Sequence, residues 1–207
     1  MKKSMPWVAA VLLSFFTACA CAQTVDMQAL VTGLKQGGYV IVFRHGATNR
    51  DQADTDPLNP DNIAKQRLLS ANGIDVAKQV GASFRKLGIQ FGGVYTSKFN
   101  RAVETGRLIS GGEVTATLDV TEGGLVVTPI ENDRRAEALK KMAGTAPAAG
   151  RNTLIVTHKP NILDAFGKDW FEVKEGEASV FKPDASGKAV LVARLQAAEW
   201  IKAAGGN

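Results

Sequence analysis

Short apolar runs alternate along this chain with longer segments in which apolar residues return every three or four positions. Residues 39–43 and 152–157 are largely apolar and rich in β-branched side chains, which is typical of strands buried on both faces of a parallel sheet. Residues 27–34 and 70–87 have the helical spacing, and the first of these segments follows Asp26, a residue type that caps helices. The pattern therefore predicts alternating strands and helices.

Other segments of the chain have weaker strand-like or helix-like patterns. Turn-forming residues at 183–187 separate the last two apolar runs, which predicts an antiparallel hairpin. The sequence thus predicts one α/β domain: a three-layer sandwich with a mostly parallel central sheet, helices on both faces and an antiparallel edge hairpin near the C-terminus. The remaining predicted strands are 93–96, 114–120, 178–181 and 189–195, and the remaining predicted helices are 102–109, 132–142 and a short one around Trp200.

Composition is consistent with one globular domain. The 207 residues are 45% hydrophobic and 22% charged, which excludes a wholly disordered chain, a collagen and a protein with several membrane spans. The formal net charge is +5, but the lysines and arginines are spread among acidic residues rather than clustered. We therefore expect no nucleic-acid partner, while a small phosphorylated ligand is compatible with this charge.

The first 22 residues have the pattern of a secretory signal. Two lysines precede an apolar stretch, and small residues end at Ala22. We expect cleavage there, which leaves a mature domain of residues 23–207 in the periplasm or outside the cell, with no stable membrane span. A retained anchor, or a lipid attached at Cys19 or Cys21, is a less favoured alternative.

The chain has only two histidines, and each follows a predicted buried strand. His45 comes after residues 39–43, and His158 comes directly after 152–157. Ligands of open α/β sheets bind beyond the carboxyl ends of the strands. We therefore expect the two imidazoles to meet. Residues 47–69 are polar and irregular, and we expect residues 49–69 to form one wall of the site.

Two arginines extend this predicted site. Arg44 precedes His45, and Arg101 stands at the start of a predicted helix. Guanidinium groups, an imidazole and the backbone N–H groups of a helix start are suited to binding a phosphate dianion. Gly46 has no Cβ, so backbone or ligand can approach His45 closely.

Four segments resemble the signatures of a known family. The segments 39–48 (YVIVFRHGAT), 96–105 (TSKFNRAVET) and 154–158 (LIVTH) are similar in order and spacing to those of the histidine phosphatase superfamily, in its phosphoglycerate-mutase-like branch. Residues 69–73 (LSANG) resemble the LSxxG helix start of that family. The resemblance spans about residues 39–195 and identifies the chain as an exported member.

The resemblance implies a role for each matching residue. His45 would be the nucleophile that forms a phosphohistidine. Arg44, Arg101 and His158 would bind the non-bridging phosphate oxygens and stabilise the transferring phosphoryl group. Asn49 is a further candidate phosphate ligand, although a loop asparagine is as readily a turn former. No cofactor and no metal is implied.

A general acid is also required, because an alkoxide leaves poorly unless it is protonated. The family uses a carboxylic acid after the third helix, where Glu122, Glu131 and Asp133 all qualify. We predict Glu131, because uncharged neighbours at 126–130 would raise its pKa. The competing interpretation is that Glu131 only caps a helix.

The predicted function is that of an exported phosphatase that hydrolyses phosphomonoesters without a metal. Its substrate would be a small phosphorylated molecule, with an envelope sugar phosphate such as a lipopolysaccharide heptose phosphate as one class suggested by the resemblance. The alternatives are a non-catalytic phospho-ligand binder on the same scaffold and a phosphomutase. A third alternative is a metallohydrolase whose metal is bound by both histidines and by Asp51, Asp54 or Asp56. We rank it last, because two histidines supply few metal ligands.

Overall fold

The computed structural model describes residues 25–206, so the predicted signal segment 1–22 lies outside the described residues. Within that range the chain forms one mixed sheet of six strands in the order β3-β2-β4-β1-β5-β6. The strands are β1 (Val40–Arg44), β2 (Phe91–Ser97), β3 (Thr115–Thr117), β4 (Asn152–Thr157), β5 (Ala178–Pro183) and β6 (Ala189–Leu195). The α-helices are α1 (Met27–Gln36), α2 (Ala71–Lys86), α3 (Asn100–Ser110), α4 (Pro129–Ala143), α5 (Lys159–Phe166) and α6 (Ala197–Ala203).

The centre of the sheet is parallel. β4 pairs in parallel with β1 on one side and β2 on the other, and Arg44 at the end of β1 lies opposite Thr157 at the end of β4. β5 and β6 add an antiparallel hairpin at one edge, as predicted. This register brings the residues that follow β1 and β4 to the same edge of the sheet.

Helices cover both faces of the sheet, which confirms the predicted α/β architecture. Ile41 and Phe43 pack with α1, α2, α3 and α6, whereas Val40 and Val42 pack with α4 and α5. Successive side chains of a strand point to opposite faces, so the apolar run of β1 contributes to two cores. Because both faces of β1 are buried, polar residues do not alternate with apolar residues along this strand.

Several element boundaries differ from those predicted. The strand expected at 114–120 is only Thr115–Thr117, followed by a 3-10 turn at Leu118–Val120. α4 begins at Pro129, three residues before its predicted start, and α5 was not predicted at all. Both helices have a proline in the first turn, where a missing N–H removes no intrahelical hydrogen bond.

The polar segment 47–69, called the excursion below, is irregular apart from a 3-10 turn at Ile63–Lys65. Its ends are joined by an isolated antiparallel bridge between Thr48 and Leu69. Among residues 25–206, no helix combines the length and the apolar character needed to cross a bilayer.

Candidate active site

The two histidines meet beyond the carboxyl ends of β1 and β4. The ring centroids of His45 and His158 are 5.1 Å apart, and the residues are only 2% and 1% exposed. The backbone N–H of His45 donates to the carbonyl of Thr157 over 3.0 Å, which extends the pairing of the two strands by one residue. The predicted convergence of the imidazoles is therefore present.

The hydrogen bonding of His45 fixes its tautomer. Its Nδ1 lies 2.8 Å from the carbonyl oxygen of Gly46, and because a carbonyl oxygen can only accept, Nδ1 carries the hydrogen. The Nε2 atom then keeps a free lone pair. Burial holds the pKa of His45 well below its ordinary value, and the neighbouring His158 and Arg101 lower it further. The ring is thus neutral and nucleophilic at neutral pH.

Close backbone packing supports the segment that carries His45. The N–H of Gly46 donates to Thr105 Oγ1 over 3.0 Å, and that hydroxyl donates to the carbonyl of Arg101 over 2.7 Å. A Cβ on Gly73 would lie 2.0 Å from the carbonyl oxygen of Ala47, so the LSANG helix start fits only with glycine at that position. These contacts join the RHG segment to α2 and α3.

Arg101 is completely buried in the first turn of α3. Its Nη1 donates to Asp54 Oδ1 over 3.0 Å, and its Nη2 donates to Glu122 Oε1. The guanidinium carbon also lies 4.5 Å from the ring centroid of Phe99. Two carboxylates and an aromatic face therefore stabilise this buried cation.

His158 faces the same carboxylate. Its Nε2 lies 2.7 Å from the hydroxyl of Ser97 at the end of β2, and its Nδ1 lies 3.4 Å from Glu122 Oε1 without a hydrogen bond. Burial, followed by the positive charge of Arg101, holds the pKa of His158 well below its ordinary value. His158 is therefore a second neutral imidazole in the site.

Arg44 borders the site but is partly engaged elsewhere. Its Nη1 donates to the carbonyl of Val173 over 2.7 Å, and its Nη2 lies 3.8 Å from Glu175 Oε1. The Nε atom of Arg44 is buried and has no hydrogen-bond partner in the described part of the chain. Burial lowers the pKa of Arg44, and its charge in turn lowers the pKa of His158.

The expectation that apolar neighbours raise the pKa of Glu131 is wrong. Glu131 lies in the first turn of α4, where its carboxylate binds Arg134 and Arg135, both over 2.8 Å. Hydrogen bonds from these arginines, of which Arg134 contributes most, lower the pKa of Glu131 to about 2.

The other two candidate carboxylates differ in their surroundings. Asp133 is exposed on α4, and its negative charge helps to raise the pKa of Asp164 on α5. Of the three candidate carboxylates, Glu122 is the one that contacts Arg101 and His158.

Asn49 ties the two ends of the excursion together. Its side-chain amide donates to the carbonyl of Leu69 over 3.3 Å, and its backbone N–H donates to the carbonyl of Leu68 over 3.1 Å. Neither contact is the local bond of a turn-forming asparagine, so both interpretations of Asn49 stay predictions.

Ser97 and Arg67 were not among the candidates from the sequence, and Asp54 was a candidate only as a metal ligand. Ser97 contacts His158, Asp54 contacts Arg101, and the positive charge of Arg67 lowers the pKa of both His158 and Arg44. Ser97 belongs to the quoted TSKFNRAVET segment and Arg67 stands just before LSANG, so proximity to these motifs was the available signal. Between residues 25 and 206, no three His, Cys, Asp or Glu side chains gather as a metal ion would require.

One family model matches part of the chain. The family model described as histidine phosphatase superfamily (branch 1) matches residues 40–123. This range includes Arg44, His45, Arg101 and Glu122. No curated protein matches the sequence significantly.

Several solved structures share the fold. The protein histidine phosphatase SixA, complexed with tungstate, is 18% identical with a TM-score of 0.55, covering 78% of this chain and 98% of its own. A mycobacterial glucosyl-3-phosphoglycerate phosphatase with inorganic phosphate is 15% identical with a TM-score of 0.53, covering 78% and 99%. A phosphoserine phosphatase mutant from Entamoeba histolytica, with phosphoserine, is 17% identical with a TM-score of 0.51, covering 77% and 97%.

Proposed function

We propose that this chain is a histidine phosphatase, because the model of the histidine phosphatase superfamily (branch 1) matches residues 40–123, and that it hydrolyses phosphomonoesters through a phosphohistidine on His45. The observation that carries the proposal is the hydrogen bond from Nδ1 of His45 to the Gly46 carbonyl. It leaves Nε2 as a free nucleophile in a neutral, buried ring. The nucleophile thus lies beside a second imidazole and a buried guanidinium.

In the first half of the reaction, the Nε2 lone pair of His45 attacks phosphorus. An N–P bond forms as the P–O bond to the leaving alcohol breaks, and the oxygen of that alcohol takes a proton from the carboxylic acid of Glu122. In the second half, water attacks the phosphohistidine, gives its proton back to the Glu122 carboxylate, and releases inorganic phosphate and free His45. Each group therefore returns to its starting state.

The non-bridging phosphate oxygens would bind Arg44, Arg101 and His158. Charge-assisted hydrogen bonds from guanidinium groups stabilise a transferring phosphoryl group. Tungstate and phosphate, bound in two structures that share this fold, are tetrahedral oxyanions of the same shape. On this assignment the protein supplies the positive charge itself, and the reaction needs no metal.

The physiological setting belongs to the same proposal. The lysines, apolar run and small residues within 1–22 support export to the periplasm or beyond. An exported phosphatase meets small phosphorylated molecules of the envelope, such as sugar phosphates. Turnover of a panel of phosphorylated sugars, nucleotides and peptides would identify the class it uses.

The deciding experiment compares the wild-type protein with His45→Ala on p-nitrophenyl phosphate. We expect turnover by the wild type, inhibition by vanadate, full activity in EDTA, and loss of turnover in His45→Ala. A wild-type protein that binds phosphate without turnover would instead be a phospho-ligand binder. Inactivation by EDTA would point to a metallohydrolase.

A further inference from the structure

The excursion holds the guanidinium of Arg101 from the side opposite Glu122. A single atom, Asp54 Oδ1, accepts from Arg101 Nη1 over 3.0 Å and from the backbone N–H of Arg67 over 2.9 Å. The carbonyl of Arg67 lies 3.4 Å from the same Nη1. One end of the guanidinium is therefore fixed by the excursion and the other by Glu122.

The excursion also caps the helix that carries Arg101. The residue before α3, Phe99, has no side chain that can cap a helix, yet the first N–H of the helix, on Asn100, is satisfied. It donates over 2.7 Å to Oε1 of Gln66, a side chain that is only 5% exposed. The other end of Gln66 is held by donation to the carbonyl of Pro60 over 2.6 Å. A distant glutamine thus supplies the cap that the local sequence lacks.

We propose that Asp54 and Gln66 are positioning residues that set the place of Arg101 in the phosphate site. The inference rests on the proposed function, because it assigns Arg101 to the phosphoryl group. The role of the excursion is to orient a catalytic cation through residues that lie outside the four segments matching the family signatures.

The chemistry of the site explains why a second carboxylate is needed. Glu122 loses and regains a proton during the proposed reaction, so its attraction for Arg101 changes within each turnover. Asp54 takes no part in proton transfer and keeps its contact with Nη1 throughout. A buried guanidinium without a constant partner would reorient or lose stability.

The direction in which anion affinity changes when Asp54 is removed distinguishes a positioning role from a purely electrostatic one. Asp54 is negative and close to the proposed anion site, so if it acted only through its charge, removing it would strengthen anion binding. If it positions Arg101, removing it weakens anion binding in spite of the lost repulsion. Small displacements of a catalytic group are enough to cause large losses in rate.

The experiment measures kcat, KM and the vanadate inhibition constant for Asp54→Ala, Asp54→Asn and the matched control Asp56→Ala. Asp56 belongs to the same excursion and bonds only within it, through Asn62. We expect Asp54→Ala to weaken vanadate binding and lower kcat by about 10-fold to 100-fold. Asp54→Asn, which keeps an acceptor oxygen, should recover part of the loss, and Asp56→Ala should match the wild type.

A second pair of variants tests the cap. Gln66→Ala removes the acceptor for the Asn100 N–H, whereas Gln66→Glu retains it. We expect faster hydrogen exchange at the Asn100 amide and weaker vanadate binding in Gln66→Ala, with slower exchange restored in Gln66→Glu but no recovery of vanadate binding, because a carboxylate cannot donate to the Pro60 carbonyl and adds a negative charge. This pair also keeps the test decisive if Asp54→Ala does not fold.

Tighter vanadate binding by Asp54→Ala, or equal losses in Asp54→Ala and Asp56→Ala, would overturn the inference. Failure of the proposed function has a different signature, since the wild type would then turn over no phosphomonoester. Calorimetric binding of inorganic phosphate by the same variants would still show whether Asp54 positions Arg101.

Discussion

The Oε1 atom of Glu122 lies 3.4 Å from Nδ1 of His158. The same oxygen accepts from Arg101, so one carboxylate contacts two of the groups assigned to the phosphoryl oxygens. In the proposed mechanism, this is the carboxyl group that protonates the leaving oxygen of the bound ester.

Glu122→Gln is expected to slow hydrolysis of alkyl phosphates by about 100-fold, a magnitude typical of general acid catalysis. It should lower kcat/KM for p-nitrophenyl phosphate far less, because nitrophenolate leaves without a proton, whereas kcat, which includes the attack of water assisted by Glu122, should fall for both substrates. Glu131→Gln is the matched control, since Glu131 binds Arg134 and Arg135 on α4 and should leave both rates unchanged. Steady-state rates on the two substrates check this, and a large loss in Glu131→Gln alone would contradict it.

The meeting of the histidines was predictable, whereas the contact of Glu122 with Arg101 and His158 was not. Parallel pairing of β1 and β4 places their carboxyl ends together, and that relationship can be deduced from two apolar runs. The place of Glu122 depends on a contact between distant residues, because the hydroxyl of Thr157 donates to the carbonyl of Val120 over 2.6 Å. This bond holds the segment before Glu122 against the end of β4, and no local pattern indicates it.

The wrong expectation for Glu131 has a local cause. With α4 beginning at Pro129, Arg134 and Arg135 lie three and four positions after Glu131 on the same helix, where opposite charges pair. The predicted start at 132 left Glu131 outside the helix. Ile130, expected to shield Glu131, is 81% exposed, so it gives little desolvation.

Enzyme activity should persist below the ordinary pKa of histidine. Burial lowers the pKa of His45 well below 6.5, so Nε2 stays unprotonated and nucleophilic as the pH falls through that value. We expect the acidic limb of kcat/KM to lie clearly below pH 6.5. A pH–rate profile on an aryl phosphate measures it, after correction for the substrate's own ionisation by phosphorus NMR. An acidic limb at or above pH 6.5 would show that His45 titrates as an exposed imidazole.

The same two histidines should make the fold sensitive to mild acid. The unfolded chain protonates both imidazoles near pH 6.5, whereas the folded chain keeps them neutral to a much lower pH. Unfolding therefore takes up protons below pH 6.5, and the free energy of unfolding should fall by up to about 1.4 kcal/mol per pH unit for each histidine.

Urea unfolding between pH 7.5 and 5.5 checks this dependence. The sequence has only His45 and His158, so no other histidine adds to the slope. His45→Gln should reduce the slope by about half. An unchanged slope in that variant would mean that other groups take up the protons.

The support of the RHG segment by α3 predicts a difference between two substitutions at one residue. Thr105→Val removes the hydroxyl that accepts from the Gly46 N–H and leaves a buried donor unpaired, which costs about 1 to 3 kcal/mol. Thr105→Ser keeps the hydroxyl and loses only a methyl group. Because Gly46 also accepts from Nδ1 of His45, movement of its peptide should reorient the imidazole. We therefore expect Thr105→Val to lower both Tm and kcat, and Thr105→Ser to retain most of kcat, as measured by thermal unfolding and steady-state kinetics. A kcat retained in Thr105→Val and lost in Thr105→Ser would mean that packing of the methyl group, rather than the hydrogen bond, holds the nucleophile in place.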